Sequence, residues 1–340
     1  MDEIPLRRKK LFSGARFSSV LLYNGDAAHL PSPSFVYFSG CRVDGCYLVL
    51  KRNGGVLLSH KMNYERAKAE SFYPVKMLGK DAASDLKKAL GRGKIGFAAN
   101  EMPAARFLAL KKKLKTELVD ATGRIAAIRA EKSAGETAKI AASAKIARKI
   151  LESIVPWEYR TENELASHLK IAALAAGCEV SFEPIVASGK NSRFPHHQPT
   201  NAPLGDFVLV DFGVKLEGHC SDLTRCYFRS ANGAKKERDA YEKCKRVFSE
   251  LFASLGSCKN SRDVAVLSDR LVKKHGLPAM IHSIGHGIGL EVHEQPRLWG
   301  ESKDSLRGAV LAIEPAAYFA DFGVRYEEMV ANVKGKWKKI

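Results

Sequence analysis

Two aspartates, Asp211 and Asp222, stand where their carboxylates can meet. Asp211 interrupts the apolar run VLVDF, and Asp222 follows in CSDLTR, on the next strand-like segment after a turn around Glu217 and Gly218. A hairpin through that turn would bring the two carboxylates side by side, and adjacent carboxylates repel unless a cation lies between them. An unpaired charge inside an apolar strand is also costly. The pair therefore indicates a cation site.

Three residues downstream have side chains that bind divalent cations. His286 lies in the glycine-rich segment SIGHGIGL, while Glu314 and Glu327 lie in the strand-like stretches AIEPAAYF and VRYEEMV. Glutamates are poor choices there unless a cation receives them, and glycines let an imidazole approach a site closely. Four carboxylates and one imidazole, without thiolates, suit two divalent ions that share carboxylates better than one tetrahedral zinc.

A pair of divalent ions favours one kind of chemistry. The ions would hold a water or hydroxide between them, lower its pKa and polarise the carbonyl that it attacks. The residues therefore predict hydrolysis of an amide bond. In the alternative without metals, Arg225 and Arg325 would neutralise the acids in a salt-bridged core.

The elements that hold these residues follow from the apolar pattern of the second half of the chain. Apolar residues at helical spacing predict a helix that Pro156 stops, and Thr161 with Glu164 predicts a capping box for a second helix. Strand-like runs and two further helical stretches follow. This pattern indicates an α+β domain, which we place at residues 131–340.

The first part of the chain has a different character. Residues 1–130 alternate helix-like runs with the strand-like runs SSVLLYN, FVYFSG, CYLVLKR and GVLLSH, and Gly54 with Gly55 predicts a hairpin turn. We therefore expect an α/β domain with a mixed sheet. It carries most of the net charge of +18, with 24 Lys and Arg against 11 Asp and Glu. The basic runs contain no recognisable nucleic-acid motif, so we do not expect nucleic acid as a partner.

Composition narrows the class of protein. The chain has 340 residues, 45% hydrophobic and 27% charged, which is typical of a soluble protein of two domains. No apolar stretch of signal-peptide length follows the charged start, no apolar run approaches the length of a membrane span, and the seven cysteines include no CxxC pair. We therefore expect a cytoplasmic protein with reduced thiols and no membrane partner.

Taken together, the motifs resemble the metallopeptidase family that contains prolidases, Xaa-Pro aminopeptidases and methionine aminopeptidases. The segments VDFG, SDLTR, GHGIGLEVHEQP, IEPAAY and VRYE occur in the family's order, and EPIVASGKNSRFPHHQPT resembles its substrate-side histidine segment. The resemblance implies a creatinase/prolidase-type N-terminal domain and a C-terminal catalytic domain of the pita-bread fold. It also implies a homodimer and two divalent metal ions. We expect Mn²⁺, with Co²⁺, Fe²⁺ and Zn²⁺ as alternatives.

The resemblance implies a role for each matching ligand. Asp222 and Glu327 would bridge the two metal ions. Asp211 would complete the ligands of one ion, and His286 with Glu314 those of the other. Glu314 would also carry a proton from the attacking water to the leaving proline nitrogen.

Further residues are expected on the substrate side of the site. His196 and His293 would hydrogen-bond the substrate carbonyl and the tetrahedral intermediate. His282 matches another histidine of the family. Arg297 would bind a substrate carboxylate or, equally, be a surface arginine.

Some positions need a choice or depart from the family pattern. The pattern Val-Arg-aliphatic-Glu selects Glu327 rather than Glu328, and on a strand these two side chains would point to opposite faces. His197 follows His196 where the family usually has glycine. We expect the extra ring to narrow the pocket beside His196.

The resemblance implies cleavage of the bond before a proline, because the separate N-terminal domain favours the proline-specific branch. A proline nitrogen forms a tertiary amide without an N–H, so a dedicated site is chemically reasonable. The length of 340 residues favours an Xaa-Pro dipeptidase, or prolidase, that acts on proline-containing dipeptides. The alternatives are an Xaa-Pro aminopeptidase that acts on longer peptides and a catalytically silent member of the fold that serves as a binding module.

Overall fold

A six-stranded mixed sheet forms the first part of the computed structural model, which describes residues 3–25 and 31–340. The chain divides into two units, Met1–Ile128 and Arg129–Ile340. The strands of the first unit are β1 (Ser19–Asn24), β2 (Cys46–Lys51), β3 (Gly54–Ser59), β4 (Val75–Met77), β5 (Ile95–Phe97) and β6 (Leu118–Asp120). Its helices are α1 (Glu3–Phe12), α2 (Pro33–Ser39), α3 (Tyr64–Glu70), α4 (Ala82–Leu90), α5 (Ala104–Leu114) and α6 (Thr122–Ala130), the last running past the division.

The strand order of this sheet is β4-β3-β2-β1-β5-β6. Strands β1, β2 and β3 pair antiparallel, and the remaining pairs are parallel. The predicted mixed sheet is therefore present, and the predicted hairpin joins β2 to β3, which starts at Gly54.

The predicted strand FVYFSG is wrong, because these residues form helix α2 and its C-terminal cap. The side chain of Ser32 accepts a hydrogen bond from the backbone N–H of Phe35, and Pro33 occupies the first turn. Gly40 ends the helix in the left-handed conformation, with φ of 72°. Start and stop signals on both sides thus outweigh the strand preference of the aromatic residues.

The second unit combines short strands with four long helices among the described residues. Its helices are α7 (Ala134–Ser153), α8 (Glu162–Ala175), α9 (Lys235–Ser254) and α10 (Ser261–Lys274). Its strands are β7 (Glu179–Val180), β8 (Ile185–Ser188), β9 (Phe207–Phe212), β10 (Val214–Leu216), β11 (His219–Cys220), β12 (Leu223–Phe228), β13 (Gly285–Gly287), β14 (Glu294–Arg297), β15 (Val310–Ile313), β16 (Ala316–Tyr318), β17 (Gly323–Arg325), β18 (Glu328–Val333) and β19 (Lys336–Lys339). Over the described residues, no helix has both the length and the apolar character that a membrane span requires.

Strand β9 lies between two helical layers. Phe207 and Leu209 belong to the apolar core that includes α9 and α10, whereas Val208 and Val210 belong to the core that includes α7 and α8. This division follows from the alternation of side chains along a strand. Each buried side chain of this size contributes roughly 1.5–3 kcal/mol. The strand that carries Asp211 is therefore held on both faces.

The predicted helices after residue 131 are present, with one difference in capping. The side chain of Thr161 accepts a hydrogen bond from the N–H of Glu164 at 3.2 Å. The carboxylate of Glu164, however, accepts from the N–H of Arg160, so the capping box of α8 is only half formed. Ser133 and Glu136 form a complete capping box at the start of α7.

Candidate metal centre

The acidic residues of the predicted site lie where strands meet or break. Asp211 is in β9, and Asp222 lies directly before β12, which pairs antiparallel with β9. Glu314 lies between β15 and β16, and Glu327 lies between β17 and β18. We expected both glutamates inside strands. Pro315 has no N–H for strand pairing, which helps to explain the break after Glu314.

Three of the predicted ligands converge closely. One ligand atom from each of Asp222, His286 and Glu327 lies within 4.8 Å of the others, and all three residues are buried. The Nε2 of His286 is 3.5 Å from Oδ2 of Asp222. The other ring nitrogen, Nδ1, donates to the carbonyl oxygen of Gly287 at 3.2 Å. The lone pair of a neutral His286 ring therefore belongs to the nitrogen that faces Asp222.

The pKa values of these groups reflect burial and crowding. Burial, followed by the neighbouring His293, lowers the pKa of His286 to about 3, which keeps the ring neutral. Burial raises the pKa of Asp222 well above its usual range, and the carboxylates of Glu327, Asp211 and Glu314 raise it further. Such repulsion is relieved when a cation enters the cluster.

The carboxylates also leave acceptor atoms unused. Among the residues that the structure describes, the Oδ1 atoms of Asp211 and Asp222 are buried without a hydrogen-bond partner. Buried polar atoms are normally paired, and carboxylate oxygens with a neutral imidazole are donors that divalent metal ions accept. The residues present therefore fit a metal centre.

Arg325 is the buried cation beside the cluster. Its Nη2 donates to Oδ2 of Asp211 at 2.6 Å, and its Nε lies 4.0 Å from Oε2 of Glu314. Arg225 pairs with the side chain of Glu328, and it donates to the backbone oxygens of Thr224 and Glu327 rather than to their side chains. One guanidinium cannot balance four carboxylates, so the salt-bridged alternative leaves most of the negative charge uncompensated.

The adjacent residues Glu327 and Glu328 have different partners. The hydroxyl of Thr224 donates to Oε2 of Glu327 at 2.7 Å, and Glu327 also contributes an oxygen to the cluster with Asp222 and His286. Glu328 forms ion pairs with Arg148, at 2.7 Å, and with Arg225. Two cations already satisfy Glu328, whereas Glu327 keeps an oxygen for the centre.

Two of the predicted substrate-side histidines adjoin the ligands. The ring centroids of His293 and His286 are 4.2 Å apart. The Nδ1 of His282 is 3.8 Å from Oε2 of Glu314, and its Nε2 hydrogen-bonds the hydroxyl of Tyr318 at 3.0 Å. Tyr318 was not singled out from the sequence, although it belongs to the motif IEPAAY.

The remaining predicted residues lie on exposed segments. His196 is exposed, and it contributes, after burial, to the lowered pKa of His293. Arg297 is exposed on β14, opposite His286 in the strand register, and its backbone N–H donates to Asp304. The histidines therefore lie around the buried ligands. The link of Arg297 to the cluster is that it pairs with His286 in the strand register.

Comparison with known proteins identifies the family. Residues 138–333 match the profile of metallopeptidase family M24. The chain belongs to this family. Residues 10–130 match the creatinase/prolidase N-terminal domain, so the predicted family, the α+β fold class and the metallopeptidase class are confirmed.

Two relatives and one solved structure illustrate the similarity. An Xaa-Pro dipeptidase from Pyrococcus horikoshii is 28% identical over 319 residues, which cover 91% of this chain and 90% of that protein. A putative Xaa-Pro aminopeptidase from Mycoplasma genitalium is 35% identical over 167 residues, but these are only 47% of each chain. The crystal structure of the prolidase from Pyrococcus horikoshii OT3 superposes with a TM-score of 0.85 at 27% identity, covering 99% of this chain and 97% of that one.

The residue after His293 is anchored in a buried ion-pair cluster of this metallopeptidase. Glu294 accepts from Arg129 Nη2 at 2.5 Å and from Lys132 Nζ at 3.0 Å. Burial by itself would raise the pKa of Glu294, but the positive charges of Lys132 and Arg129 outweigh it and lower the pKa to about 2. These ion pairs therefore fix the position of Glu294 and, with it, the backbone of the adjacent His293.

We expect Glu294→Gln to lower the free energy of unfolding at neutral pH by roughly 3 kcal/mol, because one pKa unit corresponds to about 1.4 kcal/mol and two buried cations lose a partner. A depressed carboxylate pKa stabilises the folded state above its unfolded value of 4.5, and this contribution is lost as the pH falls towards about 2. Urea unfolding at a series of pH values should show the difference between variant and wild type shrinking across that window.

Glu291→Gln is the matched control for this prediction. Glu291 also pairs with Arg129, at 2.6 Å, but its side chain is 42% exposed. Exposed ion pairs contribute about 0–1 kcal/mol, so the control should be close to wild type. A difference for Glu294→Gln that stays constant at acidic pH would contradict the assignment.

Proposed function

We propose that this protein is an Xaa-Pro dipeptidase that uses two divalent metal ions to hydrolyse the bond before proline in dipeptides. The observation that carries the proposal is the convergence of the ligand atoms of Asp222, His286 and Glu327 within 4.8 Å. The similarity to the dipeptidase from Pyrococcus horikoshii over nine-tenths of both chains supports the choice of substrate.

The proposed metal ligands are the five residues that the sequence selects. Asp222 and Glu327 would be shared between the ions, with Asp211 on one side and His286 and Glu314 on the other. Two divalent ions in this position would supply an activated water and polarise the substrate carbonyl. The oxygen-rich ligand set favours Mn²⁺ and tolerates Co²⁺, Fe²⁺ or Zn²⁺.

The proposed proton carrier is Glu314. Its side chain is 16% exposed, so it can meet both the attacking water and the substrate. The proline nitrogen becomes a secondary amine when the bond breaks and needs a proton at that moment. Glu314 would take the proton from the water and deliver it to this nitrogen.

Other side chains would bind and orient the substrate. The exposed imidazoles of His196 and His293 would donate hydrogen bonds to the substrate carbonyl oxygen and to the negative charge that develops on it. His282 lies beside Glu314 and would contact the substrate near the reacting bond. Arg297 would pair with the substrate carboxylate, supported only by its place on β14 opposite His286.

A comparison of peptides tests the substrate. We expect Ala-Pro and Met-Pro to be hydrolysed with Mn²⁺, the activity to disappear with a chelator, and Ala-Pro-Ala to be cleaved at least about 10-fold more slowly, a difference of ~1.4 kcal/mol in the barrier. Tripeptide cleavage with inert dipeptides would assign the chain to Xaa-Pro aminopeptidases, the name that the Mycoplasma relative bears. Inactivity towards both, without metal binding, would favour a silent binding module.

We further propose a domain boundary after residue 130, a homodimer and a cytoplasmic location. The match of the N-terminal profile to residues 10–130 supports the boundary. All seven cysteines are free and six of them are buried, which suits a reducing compartment. Sedimentation analysis would test the dimer.

A further inference from the structure

A carboxylate apart from the five proposed ligands organises the segment that carries His196. Glu162, in the first turn of α8, is fully buried. It accepts hydrogen bonds from the backbone N–H groups of Ser188, at 2.8 Å, and Thr200, at 3.1 Å. These two residues delimit the segment 188–200, so one carboxylate ties both of its ends to the helix.

Side chains within the segment converge on the same carboxylate. The amide of Asn191 donates to Glu162 at 2.9 Å, and the hydroxyl of Thr200 donates at 2.8 Å. The Nε2 of His197 lies 2.8 Å from Oε2 of Glu162, and the His197 side chain is only 11% exposed. The ring is therefore bonded into the protein, and the expected narrowing of the pocket beside His196 does not follow from it.

A second anchor holds the other neighbour of His196. The carbonyl oxygen of Pro195 accepts a hydrogen bond from Nη1 of Arg325 at 3.4 Å. Nearby, the N–H of Gly323 donates to the hydroxyl of Ser192 at 2.9 Å. A Cβ on Gly323 would lie 2.4 Å from the carbonyl oxygen of Ser192, so this close approach requires glycine. The segment is fastened to the strands around the metal centre on this side.

We propose that Glu162 and His197 form a positioning pair that fixes the imidazole of His196 at the distance from the substrate carbonyl that the reaction needs. His196 lies between two anchored residues, so its backbone cannot shift without breaking the bond of Pro195 or that of His197, and the point from which its ring projects is fixed. A displacement of about 1 Å at a reacting site can reduce the rate by as much as 10²-fold. The proposal rests on the proposed function, in which His196 binds the scissile carbonyl.

Substitutions at His197 test the pair, because they leave the other four hydrogen bonds to Glu162 in place. We expect His197→Ala to lower kcat for Ala-Pro about 10-fold or more, with KM changed less than about 3-fold and Mn²⁺ affinity unchanged. His197→Gln keeps a side-chain N–H donor and should restore most of kcat. Asn163→Ala is the matched control, since it removes a 2.9 Å bond from the same helical turn to Asn201, and it should retain wild-type kcat.

A second measurement does not depend on activity. In protein with isotope-labelled histidine, the His196 imidazole signal is identified by its loss in His196→Ala. We expect one narrow signal in the wild type, a broadened or divided signal in His197→Ala, and recovery in His197→Gln. A wild type that cleaves no Xaa-Pro peptide yet shows this pattern would overturn the proposed function alone.

Two results would overturn the positioning pair. One is a His197→Ala variant whose His196 signal is unchanged, whatever its kcat. The other is an Asn163→Ala variant that loses kcat or broadens the His196 signal as much as His197→Ala does, because general loosening of the helix start would then explain both.

Discussion

Replacing Asp222 with asparagine should abolish hydrolysis while making the metal-free protein more resistant to unfolding. The carboxylate of Asp222 is buried among Glu327, Asp211 and Glu314, which raise its pKa together with burial. Removing its charge relieves this repulsion when no metal is bound. The same change removes a proposed shared ligand, so we expect a loss of about 10³-fold in kcat/KM, or ~4 kcal/mol.

Thermal unfolding with and without Mn²⁺ would check this opposite pair of effects. A ligand at 100 times its Kd stabilises the folded state by about 2.7 kcal/mol. Mn²⁺ should stabilise the folded wild type by an amount of this order. Mn²⁺ should raise the unfolding temperature of Asp222→Asn only slightly. In the presence of a chelator, the variant should unfold at or above the temperature at which the wild type unfolds.

Asp206→Asn is a suitable control, because Asp206 is exposed and lies directly before β9. It should respond to Mn²⁺ as the wild type does. If Asp222→Asn kept its stabilisation by Mn²⁺ and its activity, Asp222 would not be a metal ligand. If Mn²⁺ stabilised neither the variant nor the wild type, a salt-bridged core would replace the metal centre as the explanation of the buried acids.

The elements that carry the ligands could be predicted from sequence because their signals are local. The run around Asp211 is apolar on both faces, as a strand between two helical layers must be. Helices α7 and α8 follow from apolar spacing and from capping residues close to their starts. The strand prediction at α2 is wrong because the Ser32-Pro33 start signal outweighs the strand preference of the aromatic residues that follow it.

The fine structure of the site could not be predicted in the same way. Glu314 and Glu327 lie at strand breaks, which depend on the pairing of β15 with β18 and of β16 with β17. The partners of Arg325 are equally non-local, since Asp211 lies 114 residues away in sequence. From its neighbours in sequence, Glu162 is predicted to be an ordinary glutamate in the first turn of a helix, where acidic residues are common. Only the fold reveals that it binds the His196 segment.

Glu314→Gln should separate proton transfer from metal binding. The glutamine has the same shape and keeps an oxygen that can serve as a ligand, but it cannot accept and release a proton at neutral pH. General acid–base catalysis typically contributes 10²–10⁴-fold, so we expect kcat for Ala-Pro to fall by about that factor. KM should change little, because the interaction lost is made mainly in the transition state. The stabilisation by Mn²⁺ should fall less than in Asp222→Asn, because the proposed ligand Glu314 serves one ion and the amide oxygen can still bind it.

Glu328→Gln is the matched control for Glu314→Gln. Glu328 is also a buried glutamate of the second unit, but its partners are Arg148 and Arg225. Its loss should lower the unfolding temperature, because it leaves two partly buried cations without a full partner, and should leave kcat within a few-fold of wild type. If both variants lost kcat equally, the effect at Glu314 would reflect general distortion of the site. If Glu314→Gln kept kcat within about 10-fold of wild type, below the usual contribution of a general acid–base, another group would have to carry the proton, and His282, 3.8 Å from Glu314, would be the first to replace.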